Sequence, residues 1–210
     1  MSSYSVLALC FGVMVGLYLS YQGEKFRKKP RKARELALKG AATGVSALLA
    51  AYGCMLHPLP GHFFLLAGLC VCVAADVVLD RNFLAGTAAF GLGHICYCIA
   101  YALLRAPGLE SLAVFLCLCG AVGALYPQLK KLSGQESVLP YLCYALLIGA
   151  MLALALPQKP VLRLGAALFV LSDGLLLARI VKKLPSRAYD YVCLGCYFLA
   201  QFLIAASTLA

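Results

Sequence analysis

Two aspartates lie where an apolar chain should carry no charge. Asp76 sits in VAADVVLD, among Val73, Ala74, Ala75, Val77, Val78 and Leu79, and Asp173 sits in VLSDGLLLAR. A carboxylate inside a lipid-embedded segment costs several kcal/mol unless it is paired, protonated or facing a wet cavity. Few other polar side chains fall inside the apolar runs. His94 and Tyr97 share one run, Ser172 precedes Asp173, and Tyr197 and Gln201 lie in the last run, while Asp80, Asn82 and Asp190 stand at run ends. Asp76 and Asp80 are four apart and His94 and Tyr97 three apart, so on helices each pair shares a face. If the four segments bearing these groups surround one cavity, two carboxyls converge there. A low dielectric and a like charge let one of two such carboxyls keep its proton at neutral pH while the other is ionised. That suits acid–base chemistry without a metal. Glycosidases use such a pair against an acetal, through an oxocarbenium-like transition state.

Each residue also has a plainer reading. Asp76 or Asp173 alone could be a hydrogen-bonded packing group, and Asp80 and Asp190 solvated rim residues. Tyr97 and Tyr197 could be packing or headgroup-level anchors, and Gln201 could bond a neighbouring helix. His94 is either an orienter of an aspartate or a participant in proton transfer. The three histidines, at 57, 62 and 94, do not cluster, which disfavours zinc. Eleven cysteines fall almost all within apolar runs and read as small membrane-compatible hydrophobes rather than a disulfide framework. The aspartates lack the Gly-x-Gly-Asp pattern of intramembrane aspartyl proteases, and no phosphate-cradling glycine loop follows a strand.

The elements that must position these groups are helical and membrane-embedded. The chain of 210 residues is 63% hydrophobic and 12% charged, with mean hydropathy +0.91. Soluble chains are about a quarter charged, so a water-soluble domain is excluded, and the ten-residue alternation of an outer-membrane barrel is absent. The fold class expected is all-α, a polytopic bundle of eight transmembrane helices forming one membrane-embedded domain. The helices are expected near 4–21, 36–56, 62–80, 83–104, 109–126, 138–156, 161–181 and 188–209. All nine prolines are read as falling between or at the ends of these runs. The matching aspartates of the third and seventh runs suggest two related four-helix halves. The glycine pairs Gly12/Gly16 and Gly40/Gly44 have spacing that permits close helix contact.

Charge placement sets the orientation. The net charge is +10, but eight of the 18 Lys/Arg fall between Lys25 and Lys39, read as a connection. Positive loops mark the cytoplasmic side rather than a nucleic-acid partner, and they also attract anionic headgroups. Both termini then lie outside the cytoplasm, and the first helix reads as retained rather than cleaved. The endoplasmic reticulum is the default address for such a chain.

Asp76 followed by Phe83, Gly86, Phe90, His94 and Tyr97, then Ser172-Asp173, then Tyr197-x-x-Ala200-Gln201, resembles the YhhN-like lysoplasmalogenase family of membrane proteins. The one departure is Ala75, where the family pattern has glycine. The resemblance implies hydrolysis of the vinyl ether bond of lysoplasmalogens to a fatty aldehyde and glycerophosphoethanolamine or glycerophosphocholine, without a cofactor. It implies Asp76 and Asp173 as the catalytic pair. Asp80, Asn82, His94, Tyr97, Ser172, Asp190, Tyr197 and Gln201 are then the groups that bind or orient substrate. The expected partners are a lysophospholipid substrate and membrane lipids, with a homodimer left open. The alternative class is a proton-coupled carrier or channel for small or lipid-like solutes, since buried carboxylates also serve proton relays.

Overall fold

A computed structural model describes residues 2–133, 138–182 and 187–209. Among them there are eight α-helices and no strand: α1 Ser3–Lys25, α2 Lys32–Leu56, α3 Pro60–Leu79, α4 Phe83–Leu104, α5 Leu109–Ser133, α6 Leu139–Ala155, α7 Pro160–Lys182 and α8 Arg187–Ala206, with a 3₁₀ turn at Ser207–Leu209. Seven are long and apolar enough to cross a membrane, and α6, at 17 residues, is shorter. The protein is a multi-pass membrane helix bundle, as its composition requires.

Local chemistry sets many of the helix ends. Pro60 and Pro160 each open a helix, where a missing N–H costs nothing and the fixed φ is already helical. Asn82 caps α4, its Oδ1 accepting from the Ala85 N–H at 3.0 Å. Three boundaries differ most from the sequence expectation. The fifth helix runs through Pro127 to Ser133 instead of stopping before the proline. The first two helices extend into the basic stretch, so Lys25, Lys32 and Arg34 are helical residues rather than loop residues. Pro185 lies outside the described residues.

The most extensively packed helix pair is α3 with α4, and glycine lets the two backbones approach. A Cβ on Gly86 would run into the Leu79 backbone, and one on Gly93 would sit 2.9 Å from Cys72 Sγ. The glycine pairs singled out from sequence do not play this part: a Cβ on Gly12, Gly16, Gly40 or Gly44 would meet open space. The α3/α4 hairpin, α2 and α8 form the centre, with Leu49, Leu65, Leu69, Tyr97, Tyr101, Phe198 and Ile204 fully buried there together with Phe169 of α7. At the periphery, 6% of the most apolar window of α1 or α5 is buried, against 56% for α8.

The packing repeats along the chain. α1 on α2, α2 on α3, α3 on α4 and α2 on α8 have counterparts in α5 on α6, α6 on α7, α7 on α8 and α6 on α4. The last member of each set crosses between halves. Each aspartate-bearing helix therefore meets residues from the opposite half.

Candidate functional site

Asp76 and Asp173 line one cavity of about 840 Å³, walled by side chains from every helix except α5. Asp76 is 1% exposed. Its Oδ2 accepts from Thr43 Oγ1 at 2.6 Å and from Tyr197 OH at 2.9 Å. Lys39 Nζ lies 3.4 Å from Oδ1 and donates to the Asp76 carbonyl at 3.3 Å. Thr43 and Lys39 are four apart on α2, so one helix face delivers both, and Tyr197 arrives from α8 across the halves. A buried lysine and a buried carboxylate offset each other's desolvation only because each is paired and hydrogen-bonded.

Asp173 has other company. Its Oδ2 accepts from Tyr144 OH of α6 at 2.8 Å and lies 3.6 Å from His94 Nε2 of α4. Tyr144 spends its proton on Asp173, so His94 Nε2–H donates to the Tyr144 oxygen at 3.1 Å. The other ring nitrogen, Nδ1, faces Met151 Sδ at 3.1 Å, and Phe169 packs edge-on with ring centroids 4.6 Å apart. His94 is fully buried, whereas the Asp173 side chain keeps 14% of its surface open. The imidazole thus serves the aspartate of the other half, not the one that precedes it in sequence.

The end of the cavity nearest the helix termini is charged. Asp80, which ends α3, sits 3.7 Å from Lys39 Nζ and is 37% exposed. Asp190, in the first turn of α8, pairs with Lys25 Nζ at 3.3 Å and with Arg179 Nη1. Asp190 is buried, so it is a paired anion and not the solvated rim residue its position suggested. Around and between the carboxyls the lining is apolar and aromatic, with Phe83, Phe90, Tyr141, Ile148 and Val170.

Three residues expected at the site are elsewhere. Asn82 is exposed and serves as the α4 cap. Tyr97 and Gln201 are fully buried and bonded to each other, Tyr97 OH donating to Gln201 Oε1 at 2.7 Å, with Cys72 Sγ 3.7 Å from the phenol oxygen. They join α4 to α8 behind the cavity wall. Ser172 does line the cavity, but its hydroxyl donates to the Cys193 carbonyl at 2.9 Å and so ties α7 to α8. Sequence reading missed Lys39, Thr43 and Tyr144. Lys39 stands out in retrospect by its spacing, since a lysine four residues before a threonine in an otherwise apolar run marks one polar face. Tyr144, among twelve tyrosines, carries no such mark. Among the described residues no three His, Cys, Asp or Glu side chains come together as a metal site.

The YhhN family profile matches residues 35–208, which takes in all of these groups except Lys25. The chain belongs to the YhhN family. It is similar to the Mus musculus protein named lysoplasmalogenase TMEM86B, with 35% identity over 152 residues, 70% of this chain and 64% of that protein. The Homo sapiens protein of the same name is 32% identical over 166 residues, covering 77% of this chain and 70% of its own length. The Rattus norvegicus protein is 31% identical over 154 residues, 70% of this chain and 63% of that one. This YhhN chain thus spans just under two thirds of the mouse and rat relatives. No solved structure matches it.

Proposed function

We propose that this chain is a lysoplasmalogenase, a hydrolase of the vinyl ether bond of single-chain ether phospholipids. The observation that carries the reading is that one cavity holds two carboxyls, from α3 and α7, each hydrogen-bonded to a tyrosine, one facing a lysine ammonium and the other an imidazole. The names of the mammalian relatives agree with it.

The chemistry asks for one acid, one anion and one water. Protonation of the outer alkene carbon converts the vinyl ether to an oxocarbenium ion. Water adds to the carbon attached to oxygen, and the resulting hemiacetal breaks into a fatty aldehyde and the glycerol hydroxyl. Asp173 is assigned as the acid, because its carboxyl is the more open to the cavity and stands beside Tyr144, which also lines the cavity, and His94. Asp76 is assigned as the anion that stabilises the cation and orients water, because Lys39 faces it with a fixed charge. The apolar wall takes the alkenyl chain, and the charged end takes the headgroup. A multi-pass chain in the endoplasmic reticulum, with its basic connections cytoplasmic, would meet such lipids within the bilayer.

The test is incubation of the purified protein with a lysoplasmalogen and with its saturated alkyl-ether analogue. Aldehyde from the vinyl ether alone is expected, since a saturated ether cannot be activated by protonation at carbon. Solute movement across liposomes with no aldehyde would favour a carrier instead.

A further inference from the structure

The charged end of the cavity is not evenly mixed. Asp190 is one buried carboxylate held between two cations, Lys25 at 3.3 Å and Arg179, so that side carries one positive charge in excess. Lys39 is one cation between two carboxylates, Asp76 at 3.4 Å and Asp80 at 3.7 Å, so the other side carries one negative charge in excess. All of these residues line the same cavity. The side chains able to reach a ligand are the outer ones: Lys25, Arg179 and Asp80 are 22%, 37% and 37% exposed, whereas Asp190 and Lys39 are at 6%. Lys25 is further held over the Tyr21 ring, 5.7 Å from its centroid.

Two opposite excess charges at one mouth form the complement of a dipolar ion. The geometry points to a headgroup site for a zwitterionic phospho-amine. A phosphodiester lies against Lys25 and Arg179, and a primary ammonium lies against Asp80. Arg179 supplies the planar fork that suits a phosphate, and Asp80 has accessible oxygens for an N–H donor. Asp190 is a positioning residue that sets the two cations without touching the ligand. This deepens the proposed function and rests on it for the identity of the rest of the lipid. It also assigns a purpose to charges that the reaction itself does not use.

The test measures binding of three non-cleavable alkyl-ether ligands to the purified protein. One has a phosphoethanolamine head, one a phosphopropyl head in which a methyl replaces the ammonium, and one is the bare alkylglycerol. The expected order of affinity is amine, then methyl, then bare, with about tenfold between steps, the scale of one charge-assisted hydrogen bond. Asp80→Asn should erase the preference for the amine. Arg179→Gln should weaken both phosphate ligands about tenfold relative to the alkylglycerol, and Arg179→Lys should restore most of that. Lys25→Gln is the second probe if Arg179→Gln does not fold. One cation is removed at a time because Asp190 must keep a partner. Equal binding of all three ligands, an amine preference that survives Asp80→Asn, or equal weakening of all three by both Arg179→Gln and Lys25→Gln overturns the headgroup site. Because no turnover is needed, a protein that shows the order yet releases no aldehyde overturns the proposed function and leaves this site standing.

Discussion

Asp76 and Asp173 occupy corresponding helices in a packing scheme that repeats, and each receives a tyrosine hydroxyl from a neighbouring helix, yet their second partners differ in kind. Around Asp76 stands a lysine, a fixed positive charge, on a carboxyl that is 1% exposed. Around Asp173 stands an imidazole, on a carboxyl that is 14% open to the cavity. Two acids placed alike by the backbone thus differ by one partner side chain each, and the proposed mechanism gives them different tasks. One is half of a buried ion pair, and the other lies beside a buried imidazole.

The sharpest way to break this comparison is to neutralise each carboxyl and read activity and stability separately. Asp173→Asn and Asp76→Asn should each lower aldehyde release by about 10²–10⁴-fold, the range for loss of a positioned acid or base. Only Asp76→Asn should also lower the melting temperature in detergent markedly, because it leaves the buried Lys39 with the more exposed Asp80 as its one remaining carboxylate, a loss of some part of the about 3–5 kcal/mol that breaking a buried pair costs. Equal loss of stability in the two variants would remove the distinction. The same asymmetry predicts that Lys39→Met is strongly destabilised while Lys39→Met with Asp76→Asn recovers stability, since the pair is then removed together. A double variant no more stable than Lys39→Met alone would show that the pair does not couple. Smaller effects belong to the Asp173 side. Tyr144→Phe removes one hydrogen bond to a carboxylate, and turnover should fall about tenfold, with about 1.5–3 kcal/mol lost if the carboxylate finds no replacement. An unchanged kcat would detach Tyr144 from the acid. Smallest of all is Asn82→Ala, which should cost about 1 kcal/mol through the lost cap and leave kcat and KM as they were.

The parts of this arrangement that were legible in the sequence are those that stand out against lipid. Asp76 and Asp173 show as charges in apolar runs, and Pro60 and Pro160 show as helix starts, because a membrane makes both expensive anywhere else. Lys39 was hidden for the opposite reason. It ends a run of cations that reads as a positive connection, and although the helix expected over 36–56 includes it, its charge was counted with that connection rather than with the bundle interior. Partner choice was hidden too. His94 follows Asp76 in the chain by eighteen residues, but the crossed packing of α4 on α6 and of α2 on α8 hands it to Asp173 and gives Tyr197 to Asp76. The close contact of α3 with α4 rests on Gly86 and Gly93, which lack the four-residue spacing of Gly12 and Gly16, while that pair faces open space. Spacing along one helix reports a face; it does not report which helix that face meets.

The central claim is that Asp173 hands a proton to carbon while Asp76 stays charged beside it. The direct measurement is aldehyde release from a lysoplasmalogen in H₂O and in D₂O, by the unaltered protein and by Asp173→Asn, with the aldehyde trapped by reduction and weighed. Slower release in D₂O, one deuterium on the carbon next to the former aldehyde carbon, and release lowered by about 10²–10⁴-fold from Asp173→Asn are expected. Aldehyde released without that deuterium, or by Asp173→Asn at the unaltered protein's rate, would contradict it.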